Sequence, residues 1–186
     1  MKCLLKQLFA FVPVFLLVGC GAGSTASEPR TFDLGLGSLV LNLPPVRIGA
    51  VRGTPPFEAT DMQYRLAYRN AAEVAAFSHS RWAASPAEMF RKQLLRSANE
   101  KAGKCALEVE IQEFTQVFSA KEASEARIEL RAWLGSSANA VASRGWSIVE
   151  PNAGAEAASG AAALARAVNK AVGEIGGWVA GQADCR

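Results

Sequence analysis

The side chains best suited to chemistry are few in this chain: one histidine and four cysteines among 186 residues. His79 lies between Ser78 and Ser80. Nucleophilic hydrolysis needs a serine presented on a sharp turn, with a histidine and a carboxylate beside it, and the sequence contains no Gly-x-Ser-x-Gly motif. We therefore interpret His79 as a surface or turn residue, expect no catalytic residues and do not expect an enzyme.

Motifs for metals and cofactors are also missing from the sequence. Metal sites use several histidine, cysteine or carboxylate side chains at ligand spacing, whereas the cysteines here are isolated in sequence. Gly35-Leu36-Gly37 is too short for a dinucleotide-binding loop and does not lead into a helix. We expect neither a metal nor a cofactor.

The first twenty residues have the order of an export signal. Lysines at positions 2 and 6 precede an apolar run from Leu8 to Val18, which is shorter than the ~20 apolar residues that cross a bilayer. Leu17-Val18-Gly19-Cys20 is similar to a lipobox, where the cysteine thiol receives a diacylglyceryl group before cleavage. We predict removal of the signal peptide, residues 1–19, and anchoring through acyl chains such as palmitate on Cys20. An ordinary signal followed by a coincidental cysteine is the alternative.

Residues 20–30 are small or polar, which predicts a lipidated flexible tether. Gly21, rather than Asp, follows Cys20, and this favours the outer membrane, with the folded part facing the periplasm. We assign residues 31–186 to one domain, because half of the chain is apolar and the length suits a single core.

Removal of the signal also changes the charge and the cysteine count. The formal charge of +3 falls to +1 when the two lysines of the signal leave, so we do not expect nucleic acid as a partner. Cys3 leaves with the signal and Cys20 carries lipid, so Cys105 and Cys185 are the pair left in an oxidising compartment. We predict a disulfide that ties the C-terminus to the start of a strand.

The first half of the domain has the patterns of strands followed by a helix. Alternation predicts strands over 31–35, 46–52, 62–68 and 73–77, the last two forming a hairpin with Arg69-Asn70 at its turn. Ser85-Pro86-Ala87-Glu88 is a capping box, so a helix begins at Pro86, and we expect Gly103 to end it.

Two long strands and a helix follow. Apolar residues occupy every second position from Cys105 to Ile111 and again from Ala126 to Leu134. These strands should pair antiparallel, with ion pairs between an acidic and a basic outer face, and a shorter strand should cover 144–149. The segment 157–179 has helical spacing, and we attribute its stripe Gly173, Gly177 and Gly181 to close packing on the sheet.

These elements predict an α+β fold: a single two-layer domain whose mainly antiparallel sheet is packed by two long amphipathic helices. Core packing is the expected role of the four tryptophans. Trp133 differs from the other three because it falls on the polar face of its strand. An aromatic side chain that points outward from a strand marks a candidate partner surface.

The order of residues from Thr31 to Val179 resembles the ABC-type transport auxiliary lipoproteins. The resemblance rests on RWAASP at 81–86 leading into the helix, on the hairpin before it, on LEVEIQEF at 107–114, and on Trp133 late in the returning strand. It implies a non-enzymatic outer-membrane partner of a periplasm-spanning MCE-domain protein whose ABC transporter carries phospholipid or another hydrophobic cargo.

The resemblance also suggests which residues meet the partner. We take Tyr68, Arg69, Trp82 and Trp133 as the candidate partner surface. A second copy of the chain is another candidate partner, since a symmetric end piece suits a ring or tube. Two alternatives stay open: an assembly lipoprotein for an outer-membrane complex, and a lipid carrier with its own pocket. An enclosed apolar cavity would favour the carrier.

Overall fold

A computed structural model describes residues 28–35, 43–99, 103–135, 140–152 and 154–185. Within these ranges the chain forms seven strands and three α-helices. The strands are β1 Arg30–Phe32, β2 Arg47–Gly53, β3 Asp61–Leu66, β4 Ala75–Trp82, β5 Ala106–Ala120, β6 Ala123–Gly135 and β7 Ala140–Asn152. The helices are α1 Ala67–Asn70, α2 Pro86–Ser97 and α3 Ala157–Ala180, and a short 3-10 helix covers Ala183–Cys185. The α+β class is confirmed.

The strands form one mixed sheet in the order β1-β4-β3-β5-β6-β7. Two strands pair with the same edge of β5. β2 pairs with its first half and β3 with its second half, and both run parallel to β5. The pairs β3–β4, β5–β6 and β6–β7 are antiparallel, and β1–β4 is parallel. The expected antiparallel pairing is therefore correct for the long strands and for β3 with β4, and wrong for β1, β2 and the β3–β5 pair. Parallel neighbours require a crossover, which β4 and α2 supply between β3 and β5.

The predicted hairpin is confirmed in β3 and β4. Its predicted turn lies in α1, and Asn70 Oδ1 accepts a hydrogen bond from the backbone nitrogen of Ala72 at 3.1 Å. β4 continues to Trp82, beyond the predicted end at Phe77. His79 is thus a strand residue with an exposed side chain.

The capping box at the start of α2 is confirmed. Ser85 Oγ accepts from the Glu88 backbone nitrogen at 3.3 Å, and the Glu88 carboxylate accepts from the Ser85 backbone nitrogen at 3.1 Å. The helix ends at Ser97, so the prediction that Gly103 ends it is wrong. Gly103 is needed for a different reason: a Cβ there would collide with the backbone carbonyl of Pro45.

The alternation of β5 and β6 is confirmed, as is their antiparallel pairing. Between Ile111 and Glu113 the register shifts, and afterwards Phe114 is the residue that faces the core, opposite Ile128. Such a bulge moves side chains from one face of a strand to the other. The expected ion pairs between β5 and β6 are not the ones that form. Glu108 pairs with Arg52 of β2 instead.

Helix α3 packs on the sheet through the predicted apolar positions. Its buried side chains include Leu164, Val168, Val172, Ile175 and Val179. The explanation given for the glycine stripe is wrong, because Gly173 and Gly177 are exposed, and no atom lies within 4 Å of a Cβ built at Gly177.

Helices α2 and α3 lie on the same face of the sheet. Gln93 Nε2 of α2 donates to Asn169 Oδ1 of α3 at 3.0 Å. Trp82 is only 1% exposed and packs edge-to-face on Phe114, with ring centroids 5.6 Å apart. Trp146, 8% exposed, meets Trp178 in the same way. The core therefore fills the space between this face and the two helices.

Candidate functional site

The sheet face that α2 and α3 leave uncovered is the candidate site, and we call it the open face. It consists of the β5 and β6 side chains that point away from these helices. They are Glu108, Glu110, Glu113, Thr115 and Val117 on β5, and Glu125, Arg127, Glu129, Arg131 and Trp133 on β6. Charged residues of both signs dominate this set, so the open face suits a polar protein partner better than an apolar one.

A partly buried ion pair lies at the end of the open face where α1 crosses it. Arg65 of β3 binds Glu113 in a bidentate manner, with Nε–Oε1 and Nη2–Oε2 distances of 2.7 Å. The side chains are 20% and 9% exposed, respectively. Arg65 Nη1 also donates to the carbonyls of Ala71 and Ala72, at 3.2 and 3.4 Å, and so holds the turn after α1.

The surroundings of Arg65 favour its charged form. The hydrogen bond to Glu113 raises the pKa of the guanidinium above its usual value, and the charges of Glu113 and Glu129 act in the same direction. Burial opposes them without reversing the direction. Thr115 Oγ1 donates to Glu113 Oε1 at 2.5 Å, so the carboxylate has a second partner.

A recess of about 290 Å³ opens above this ion pair. Its lining consists of Arg65, Ala67, Ala71, Glu113, Val117, Arg127 and Glu129. Arg127 Nη2 pairs with Glu125 Oε1 at 2.7 Å, while the buried Arg127 Nε has no hydrogen-bond partner. The recess therefore suits a polar side chain better than an acyl chain, because its walls carry the charged groups of Arg65, Glu113, Arg127 and Glu129.

The four residues of the predicted partner surface are not brought together. Tyr68 is 42% exposed on α1, next to the exposed Arg69. Trp133 is partly buried on the open face, but it pairs with Glu108 near the start of β5, whereas α1 follows the β3 segment that pairs with the end of β5. Ten positions along β5, from Glu108 to Phe118, separate the two ends by ~30 Å. Trp82 is wrong as a surface residue, because it is buried in the core.

Arg65 and Glu113 were missed by the sequence analysis, although one signal was present. Every second residue from Cys105 to Ile111 is apolar and is expected to face the core, and continuing this alternation would place Glu113 in the core. A carboxylate at an inward position followed by a phenylalanine indicates either a bulge or a buried ion pair, and β5 has both.

The cysteines and the histidine occupy separate places. Cys20 lies outside the described residues. The sulfurs of Cys105 and Cys185 are 2.08 Å apart, with a Cα–Cα distance of 5.0 Å, in a bridge between the start of β5 and the 3-10 helix. His79 Nδ1 lies 2.7 Å from Ser78 Oγ, and no hydrogen bond joins His79 to a carboxylate in the part of the chain that the structure describes.

Two further searches concern metals and membranes. In the described ranges, no three histidine, cysteine or acidic side chains come together as metal ligands. None of the helices in those ranges is long and apolar enough to cross a bilayer.

Comparison with known proteins gives a likeness of fold. No family model matches the sequence, and no curated protein matches it. A crystal structure of a Xanthomonas campestris protein of family DUF330 matches with a TM-score of 0.64 and 18% identity, covering 82% of this chain and 91% of that one. A crystal structure of an uncharacterised protein matches with a TM-score of 0.62 and 12% identity, covering 82% and 99%. The chain therefore shares the fold of a DUF330 structure.

Proposed function

We propose that the chain is a lipoprotein anchored through Cys20 to the outer membrane, with a periplasmic domain that serves as a non-enzymatic auxiliary component of an MCE/ABC-type lipid transport system. The observation that carries the docking role is the open face. A sheet covered by two long helices on one side, and on the other crossed by α1 at one end alone among the described elements, presents a broad, rigid surface to a partner.

Three features support the proposal. The segment Leu17–Cys20 has the residues of a lipobox, and an anchor of two or three acyl chains holds a protein stably on a membrane. The resemblance to the auxiliary lipoproteins covers most of the domain. The fold likeness to a DUF330 structure covers 82% of the chain and shows the architecture alone.

Because the chain is anchored to a membrane, a docking face of modest affinity is enough to hold a partner there. A domain tethered to a membrane is confined to a thin layer, so its effective concentration for a partner at that membrane is high. The partner we infer is the periplasm-spanning MCE-domain protein. Mixed charges on the open face set the orientation of docking, and the partly buried Trp133 supplies an aromatic contact.

In-cell crosslinking of the tagged full chain tests this function, with Cys20→Ala as the control and mass spectrometry to identify partners. Recovery of an MCE-domain protein that is lost in Cys20→Ala supports the proposal. Recovery of a secretin or an outer-membrane barrel instead would replace transport with assembly of that complex. Recovery of neither would contradict a docking role.

A second candidate function is lipid carriage, and the observation behind it is one apolar recess that is open rather than enclosed. A cavity of about 550 Å³, open to solvent, is lined by Pro44, Pro45, Gly103, Lys104, Val179, Ala180 and Cys185. Its apolar walls and its volume suit a short length of acyl chain. Native mass spectrometry of the purified protein distinguishes the two functions, because a carrier retains one lipid per chain and a docking protein retains none beyond its own anchor.

A further inference from the structure

Strand β7 forms an edge of the sheet, and β6 is its partner among the described strands. The register between them is continuous from Ala142 to Asn152. Pro151 has no backbone N–H, and its carbonyl accepts from Arg166 Nη2 at 2.7 Å. The backbone polar group of Pro151 therefore points away from β6. Because backbone groups alternate along a strand, those of Val149, Ser147 and Gly145 point outward as well.

The edge carries a proline at its end, Pro151, and two charged residues on its helix side, Arg144 and Glu150, but its open-face side has no such protection. Its open-face side chains are the small or apolar residues Ser143, Gly145, Ser147 and Val149, and Val149 is among the exposed large apolar residues, at 36%. Natural edges are blunted by lysines, prolines, inward charges or short length. On the open face of β7, a row of outward N–H and C=O groups is flanked by uncharged side chains from Ser143 to Val149, which permits pairing with another strand.

The charges on β7 select the strand that fits. Arg144 and Glu150 are its charged residues, and each lies three positions from Ser147. Antiparallel pairing with a second copy, on a twofold axis at Ser147, sets Arg144 opposite Glu150 of the partner subunit, and the contact occurs twice. Both positions are non-hydrogen-bonded ones, where opposite side chains lie closest. Every other antiparallel register separates these charges.

The same axis gives the exposed glycines of α3 a role. Lys170 Nζ lies 3.3 Å from Glu150 Oε1, and Trp178 packs on Trp146, so α3 runs antiparallel to β7 and passes Ser147 near Gly177. The side chains of Arg166 and Lys170 contact β7. Gly173 and Gly177 continue the same stripe along α3, so this stripe faces the β7 edge.

The spacing of the two helices follows from the sheet. α3 contacts both β6 and β7. Strands are spaced ~4.8 Å apart, so an axis beyond β7 brings the two copies of α3 to ~10 Å, which is an ordinary helix-packing distance. Gly177 leaves the space that this approach requires, because nothing lies within 4 Å of its Cβ position.

We propose that the chain forms a twofold dimer in which the β7 edges pair antiparallel about Ser147, joining two sheets into one, with the α3 helices crossing at Gly177. The partner is a second copy of this chain. This inference does not depend on the proposed transport function, since every observation behind it concerns β7 and α3.

Cysteine crosslinking in the full chain tests the axis and the register together. Ser147→Cys places two thiols on the axis, whereas Ser143→Cys, with an equally exposed serine on the same face, places them ~26 Å apart. Mild oxidation of membranes should give a covalent dimer with Ser147→Cys, well above the level in Ser143→Cys and in the unmodified chain. Equal dimer in both variants, or none with Ser147→Cys, would overturn the proposal.

Two further variants separate the dimer from the fold. Gly177→Leu should raise the dimer dissociation constant, measured by sedimentation in detergent, by ~10-fold or more without lowering the unfolding midpoint. Ala162→Leu, exposed on α3 but ~22 Å along the helix from Gly177, is its control. Arg144→Glu should weaken the dimer by ~10-fold. Arg144→Glu with Glu150→Arg should recover part of that loss, because the charge pair across the axis forms again while the new arginine lies beside Lys170. An unchanged dimer in Gly177→Leu would exclude the helix crossing.

Discussion

Replacing Arg65 with leucine should be among the most damaging single changes on the open face. Removing one partner of a buried ion pair costs ~3–5 kcal/mol, because the remaining charge stays desolvated. Glu113 is 9% exposed, but it keeps the hydroxyl of Thr115, and Arg65 is itself 20% exposed. We therefore expect Arg65→Leu to lower the free energy of unfolding by ~3 kcal/mol, at the lower end of that range.

The double variant Arg65→Leu with Glu113→Leu is the control. Removing both charges together leaves no unpaired charge, although the buried Thr115 hydroxyl and the carbonyls of Ala71 and Ala72 lose a partner. The free energy of unfolding of the double variant should therefore lie above that of the single variant and within ~2 kcal/mol of the starting protein. Urea unfolding followed by tryptophan fluorescence measures both variants, and equal slopes show that the comparison is valid. A single variant as stable as the starting protein, or a double variant less stable than the single one, would refute the role assigned to this pair.

Three further changes test the other contacts that shape the domain. Reducing or removing the Cys105–Cys185 bridge should lower the free energy of unfolding by ~4 kcal/mol in the chain-entropy model, since the bridge spans 80 residues of sequence. Ser85→Ala removes the cap of α2 and should cost ~1 kcal/mol, seen as a lower urea midpoint. Gly103→Ala drives a methyl group into the Pro45 carbonyl and should cost ~1–3 kcal/mol in the same assay.

Each of these predictions has a control or a contrary result. Gly177→Ala is the control for Gly103→Ala, because it meets no atom within 4 Å and should stabilise α3 by ~1 kcal/mol. Two free thiols in non-reduced protein from the periplasm would contradict the bridge. An unchanged midpoint in Ser85→Ala would show that the capping box contributes nothing to α2.

Local patterns predicted the elements whose neighbours are close in sequence. The alternation of β5 and β6, the capping box at Ser85 and the apolar stripe of α3 each depend on spacings of two to four residues. A strand with one face buried under helices must alternate apolar and polar residues, and a helix with one buried face must repeat apolar residues every three to four positions. These elements could therefore be predicted from the sequence.

Contacts between distant segments could not be predicted in the same way. Arg65 meets Glu113 across 48 residues, and the choice between parallel and antiparallel neighbours for β2 and β3 depends on crossovers that leave no local pattern. The motif at 81–86 suggests a surface position for Trp82, but its side chain packs on Phe114 in the core. The glycines of α3 have helical spacing, which does not say which face they occupy.

Photocrosslinking from one position on the open face is the most direct test of the proposed docking role. A photoreactive phenylalanine derivative at Trp133 lies on the open face, and the same residue at Ala162 lies on the exposed side of α3. We predict that an MCE-domain protein is captured in cells from position 133 and not from position 162. Capture from neither position, or equal capture from both, would contradict docking through the open face.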